Sequence, residues 1–173
     1  MEITELLHII GDLERISDHA VNLSESAEEM KDKNISFSEE AIKELTVMGN
    51  AVKEIVDISI ASFRDKDYSR AMLVEPLEEV IDDLRDDIKR NHIIRLQNSK
   101  CTIEHGFVLS DILTNYERIA DHCSNIAECM LEISNYRALD MHSYSDHIKD
   151  IDKSFDEHFE MFSKKYSLNG EMQ

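Results

Sequence analysis

Three observations predict an all-helical fold. Only four Gly and one Pro interrupt 173 residues, and Glu, Leu, Ile and Asp abound, a composition that favours helix. Apolar residues recur at helical spacing in every long segment, and nothing reads as strand. A twelve-residue stretch also occurs twice. Glu14-Arg15-Ile16-Ser17-Asp18-His19-Ala20-Val21-Asn22-Leu23-Ser24-Glu25 returns as Glu117-Arg118-Ile119-Ala120-Asp121-His122-Cys123-Ser124-Asn125-Ile126-Ala127-Glu128, with seven identities at an offset of 103 residues. On a helix its shared Glu, Asp, Asn and Glu fall within about 80° of one another.

The first helix is predicted from about Glu2 to Lys31, carried by Leu6, Leu7, Ile10, Leu13, Ile16, Ala20 and Leu23. Its pattern is already running at Ile3, as if the chain began inside an element. Lys31 to Ile35 reads as a loop. Ser36-Phe37-Ser38-Glu39 offers a capping box, with Ser36 as the cap of a second helix through Ala41, Leu45, Met48, Val52, Ile55 and Phe63. Arg64 to Asp67 is a turn with Asp67 as N-cap of the third helix. That helix runs to Gln97 and contains Pro76, which removes a bond to the carbonyl of Met72 and predicts a kink or break. Asn98 to Cys101 turns the chain into a fourth helix, starting near Thr102 or Glu104 and ending near Asn135. Arg137 to Ser143 is expected to be irregular. A fifth helix follows from Ser145 to Tyr166, with Ile148, Ile151, Phe155, Phe159 and Phe162 on one face. Leu168 to Gln173 should fray.

The net charge of −18 argues against nucleic acid or anionic lipid as partner and suits cations or a basic partner. Cys101, Cys123 and Cys129 form no Cys-x-x-Cys pair and read as free thiols. No uncharged apolar run approaches the roughly 18 residues that span a membrane. There is no Gly-rich phosphate loop and no nucleophile beside a base and an orienting acid.

Like charges four residues apart destabilise a helix, so an offsetting cation is the simplest explanation of the repeated Glu-x-x-x-Asp. The third helix is acidic as well, and Glu75, Glu78, Asp82 and Asp86 share one side of it. Helices three and four are joined by a short turn and should run antiparallel. The pairs Glu78/Asp121 and Asp82/Glu117 are both centred between Ser99 and Lys100, so they stand level across the hairpin. Glu78, Asp82, Glu117 and Asp121 are therefore the candidate metal ligands. Glu75, Asn125 and Glu128 are further candidates there. Glu14 and Asp18, with Asn22 and Glu25, would form an incomplete first site. An all-oxygen set suits hard cations, and iron or manganese also fit. The plain alternative is a solvated acidic face. His19 and His122 lie roughly 100° from the neighbouring Asp and read as core-edge residues rather than ligands. Arg15 and Arg118 read as partners of local acids.

These residues carry a family resemblance. Asp12-Leu13-Glu14-Arg15-Ile16-Ser17-Asp18-His19-Ala20-Val21-Asn22 resembles the signature of PhoU-type phosphate-regulatory domains, and Asn115-Tyr116-Glu117-Arg118-Ile119-Ala120-Asp121-His122 resembles its second copy. Val74 to Leu84 is similar to the acidic helix that precedes the signature. Val74-Glu75-Pro76-Leu77-Glu78-Glu79-Val80-Ile81, Asp121 to Ala127 and the ending Lys165-Tyr166-Ser167-Leu168 resemble the cytoplasmic C-terminal domain of bacterial sodium/phosphate cotransporters. The resemblance covers residues 5–168. It implies two related three-helix bundles, with one or more metal ions, multinuclear iron included, at the Glu-x-x-x-Asp motifs. It also implies phosphate-transport control rather than catalysis, at the cytosolic face of the membrane.

In the family each signature helix is the third of its bundle, whereas here the first signature starts at Glu14. The expected organisation is thus residues 1–33 as the last helix of a truncated first repeat, 36–135 as a complete antiparallel three-helix bundle, and 143–168 as an extra C-terminal helix. The exposed apolar face of the first helix should be covered by the fifth helix or by a second copy in a homodimer. The partner expected is the transmembrane part of a phosphate transporter. A free-standing PhoU-type regulator is the alternative within the family. A metal-free helical adaptor and a di-iron carboxylate enzyme are the alternatives outside it. The enzyme chemistry uses two Glu-x-x-His motifs, and only Glu5-Leu6-Leu7-His8 is found.

Overall fold

The computed structural model describes residues 3–137 and 144–168, with the side chains of residues 3–4, 6–132 and 154–168. The helices are α1 (Ile3–Asp32), α2 (Glu39–Asp65), α3 (Tyr68–Ala71), α4 (Val74–Gln97), α5 (Ile103–Arg137) and α6 (Tyr144–Lys165). No strand occurs among the described residues. The stretch expected to be irregular before Ser143 and the fraying end beyond Leu168 lie largely outside the described residues, as do the side chains of Ile148 and Ile151.

Each start has a local cause. Asp67 caps α3 as expected, accepting the Arg70 N–H at 3.0 Å. The cap of α2 is corrected from Ser36 to Ser38. Ser38 has extended backbone (φ −65°, ψ 160°) and its hydroxyl accepts the Ala41 N–H at 3.3 Å. Ser36 stays outside the helix, and its carbonyl pairs with the ring of His105 on α5. The expected third helix is broken in two ahead of Pro76. α3 ends at Ala71, Met72 and Leu73 pass between, and Pro76 falls in the first turn of α4. There its missing N–H would have had no partner within α4.

α2, α4 and α5 pack mutually as an antiparallel bundle. Met48, Ile55, Leu77, Ile81, Ile88, Leu109, Leu113 and Ile126 are fully buried in it, each contributing about 1.5–3 kcal/mol by leaving water. A bidentate ion pair links α2 to α4 inside this bundle. Arg95 donates to both carboxylate oxygens of Glu44 at 2.9 and 2.8 Å, and Asn91 donates to the same carboxylate at 2.8 Å.

α1 packs chiefly on α5 and contributes Ile9 and Ile16 to the core. α6 packs on α4, with Phe162 and Tyr166 buried. Its C-terminus is tied to α2, where Lys165 and the Tyr166 hydroxyl both donate to Glu54. The expectation that the C-terminal helix covers α1 is therefore corrected. The phenylalanine face of α6 is satisfied by the bundle, and Leu7 and Ile10 of α1 stay more than half exposed, at 62% and 51%.

Candidate functional site

The acidic hairpin forms as the turn predicts. α4 descends to Gln97 and α5 rises from Ile103, which brings Asp82 level with Glu117. One guanidinium shows it: Nη1 of Arg85 lies 3.0 Å from Asp82 and 2.5 Å from Glu117, while Nε lies 2.9 Å from Asp86. Glu78 and Asp121 occupy the next turn along. Arg118 pairs with Asp121 at 3.1 Å in an exposed contact. Glu75 accepts a hydrogen bond from Ser124. The Glu78 carboxyl is pushed up to about 7, first by burial and then by the charges of Asp82, Glu75, Asp121 and Glu79. Burial raises Asp82 as well, against the lowering effect of Arg85.

The first copy of the signature is set differently. Glu14, Asp18 and Glu25 are exposed on α1, and none of them forms an ion pair with another described residue. Their counterparts Glu117 and Asp121 are half-buried. Glu128 is as exposed as Glu25, and Asn22 and Asn125 are both exposed.

The two copies meet through the residues the sequence reading placed at the core edge. His19 Nδ1 lies 2.8 Å from Asn115 Oδ1, and Asn22 donates to the same oxygen at 3.2 Å. His122 Nδ1 lies 2.9 Å from Asp12 Oδ1, and Asn125 donates to that oxygen at 3.2 Å. Asp12 and Asn115 are themselves 103 residues apart. The two networks are therefore the same network made twice about a pseudo-twofold axis. The rings of His19 and His122 stack at that axis, with centroids 5.7 Å apart.

A groove flanks the stacked pair on each side. The larger, about 560 Å³, is lined by His8, Gly11, Asp12, Asn125, Glu128 and Glu132, among others. The smaller, about 290 Å³, is lined by Asp111, Thr114, Asn115, Asn22, Glu25 and Glu29, with Ser26. Every residue of the smaller groove is the repeat counterpart of one in the larger. The sequence reading missed Asp12 and Asn115 as site residues. Their signal was available, because they share the 103-residue offset, but an Asp matched to an Asn scores as a mismatch unless its role as acceptor is considered.

The donor chemistry of the hairpin fits a hard cation: four carboxylates level on two helices, one of them, Glu78, raised first by burial and then by its neighbours' charges. In the present arrangement, however, no group of three or more His, Cys, Asp or Glu among the described residues is disposed to hold a metal ion. Arg85 stands between Asp82 and Glu117. His8 lines the larger groove, away from any second Glu-x-x-His motif. No described helix is long and apolar enough to cross a membrane.

The core of the molecule is thus a three-helix bundle whose last helix carries Glu-x-x-x-Asp opposite an acidic companion helix. The family model described as PhoU domain matches residues 45–130, so this chain carries a PhoU domain. Among characterised proteins it is similar to phosphate-specific transport system accessory protein PhoU homolog 1 of Thermotoga maritima, at 28% identity over 76% of this chain and 56% of that protein. It is also similar to the corresponding PhoU homologs of Clostridium acetobutylicum, at 23% over 77% and 59%, and Zymomonas mobilis, at 28% over 73% and 52%. The chain thus spans just over half the length of the relatives it matches. No solved structure gives a significant match.

Proposed function

We propose that this chain is a PhoU-type regulatory domain that acts on phosphate-transport machinery. The observation that carries this is the PhoU domain itself, together with relatives whose names all denote accessory proteins of phosphate-specific transport. Those relatives favour an accessory regulator working beside a transporter. Attachment to a sodium-dependent cotransporter through a transmembrane part is the second setting, supported by the resemblance of Val74 to Ile81 and of the Lys165 to Leu168 ending. Both settings put the domain at the cytosolic face of a membrane. The open face of α1 is the surface on which a second copy would add to it, and sedimentation of the purified chain reads that directly. The regulatory reading is tested by expressing this chain in cells deleted for their own accessory regulator. Uptake of inorganic phosphate should return toward the regulated rate. Unchanged uptake with folded, abundant protein would overturn it.

Within this reading, Glu78, Asp82, Glu117 and Asp121 are the proposed metal ligands, with Glu75, Asn125 and Glu128 beside them. Glu14 and Asp18, with Asn22 and Glu25, form the weaker second set. A bound metal would offset the burial and the neighbouring charges that now raise Glu78, and would fasten α4 to α5. A cation bound only to the folded state raises the melting temperature by mass action. Manganese or ferric iron should therefore stabilise the wild type. Asp121→Asn should cut that response by at least half, and Asp18→Asn should leave it nearly intact. Equal responses in all three proteins would remove the assignment.

A further inference from the structure

We propose that Arg85 is the acidic hairpin's own counter-cation, and that a metal ion enters the hairpin only by taking Asp82 and Glu117 away from it. The inference rests on the metal reading above and concerns what controls that site.

Arg85 is placed for this by helix geometry. It stands three residues after Asp82 on α4, so its side chain leans back over the same face. Its stem is sheltered, with only 15% of the side chain exposed. The guanidinium then contacts three carboxylates from two helices: Asp82 at 3.0 Å, Asp86 at 2.9 Å and Glu117 at 2.5 Å. A planar fork with several fixed donors suits this task better than a point charge. Oxygen ligands close on a hard cation to about 2.0–2.6 Å from a common centre. Here the oxygens of Asp82 and Glu117 converge on one guanidinium nitrogen instead, so metal and Arg85 compete for the same two groups.

The compensation is one-sided. The charge of Arg85 is delivered to Asp82, Asp86 and Glu117. Glu78 lies one turn beyond it, outside the three contacts Arg85 makes. The hairpin is therefore closely compensated at one end, while the other has the exposed Arg118–Asp121 contact. A divalent ion adds twice the charge of a guanidinium and can draw on both ends. Such an exchange makes Arg85 the residue that sets metal affinity without being a ligand.

The test uses the full chain, freed of metal with a chelator, as wild type, Arg85→Gln and Arg85→Lys. Each is titrated with manganese chloride by calorimetry and melted with and without it. Arg85→Gln should bind manganese at least about tenfold more tightly than wild type, since the competing charge is gone. Arg85→Lys, which keeps a charge but loses the fork, should fall between them. Without metal, Arg85→Gln should melt several degrees lower, and adding Glu117→Gln to it should restore part of the loss by removing the charge left unpaired.

Equal manganese affinity in wild type and Arg85→Gln would overturn the role of Arg85 and leave the metal reading standing. Absence of binding in all three would overturn the metal reading and the competition together. Failure of the double variant to regain stability would show Arg85 to be a packing residue and would overturn its role as counter-cation. If Arg85→Gln does not fold, Arg85→Lys against wild type carries the same comparison, with a gain of about threefold expected.

Discussion

The same twelve-residue signature sits on two helices with opposite surroundings. On α5, Leu109, Leu113, Cys123, Ile126 and Ala127 are buried against α2 and α4, each at most 4% exposed. Their repeat counterparts on α1 are Leu6, Ile10, Ala20, Leu23 and Ser24. Of these only Leu23 is half-buried, and Leu6 and Ile10 are 39% and 51% exposed. The faces turned toward each other behave alike instead: Ile16 and Ile119 are both buried, at 9% and 4%. The helix–helix seam is thus set by the repeat itself. Burial of the other face depends on what else is packed there. An amphipathic stripe states what a helix can bury, and its neighbours decide whether it does.

The largest expected effect breaks this contrast at one pair of counterparts. Leu113→Ala should cost about 2–5 kcal/mol, as cavity-forming changes in a tight core do. Ile10→Ala should stay within about 0.5 kcal/mol, as surface changes do. Urea unfolding of both variants measures the difference. A cost for Ile10→Ala equal to that of Leu113→Ala would show that α1 is covered in solution.

A middle-sized effect sharpens the comparison of the acidic halves. Glu78 ionises near 4.5 when unfolded and is raised to about 7 when folded. The folded state holds this proton more tightly, so stability is undiminished below about 4.5, falls as pH rises toward 7, and stays reduced above it. Glu78→Gln removes that penalty. It should add about 1–2 kcal/mol at pH 8, after allowance for partial exposure, and almost nothing at pH 4.5. Thermal melts across this range check the sign.

The smallest effect makes the two copies more alike. Asp12→Asn gives the first network the acceptor that the second already has in Asn115. His122 and Asn125 can bond to the amide oxygen as His19 and Asn22 do. The change should cost under about 1 kcal/mol. Loss of several kcal/mol would mean that the charge of Asp12, and not its oxygen, holds the seam.

Much of this was legible in the sequence. The long helices follow from apolar spacing, and the level pairing of Asp82 with Glu117 follows from closing a short turn between antiparallel helices. The break at Pro76 follows from its missing donor. Other features were not legible, for physical reasons. Arg85 sits in a run of charges, and only the rotation of α4 decides that it points at Glu117 rather than at water. Ser36 and Ser38 are equally good caps by type, and the extended backbone at Ser38 chooses between them. The partner of α6 could not be read, because Phe159 and Phe162 ask for an apolar surface without naming one. The angle of His19 and His122 to the neighbouring Asp sets their depth at the core edge and says nothing of the opposite helix.

The stacked histidines have a spectroscopic consequence. Each ring bonds across the seam, His19 to an amide oxygen and His122 to a carboxylate. They are near twins in position and unlike in chemical environment, so their ring nitrogens should give two resolved signals in a nitrogen-edited magnetic resonance spectrum. A ligand entering the larger groove, lined by Asp12 and His122, moves the second signal first. One entering the smaller groove, lined by Asn22 and Asn115, moves the first. A sliding of α1 along α5 moves both together. Two neighbouring imidazoles thus give the molecule an internal two-channel probe, and the channel that responds tells which half was touched.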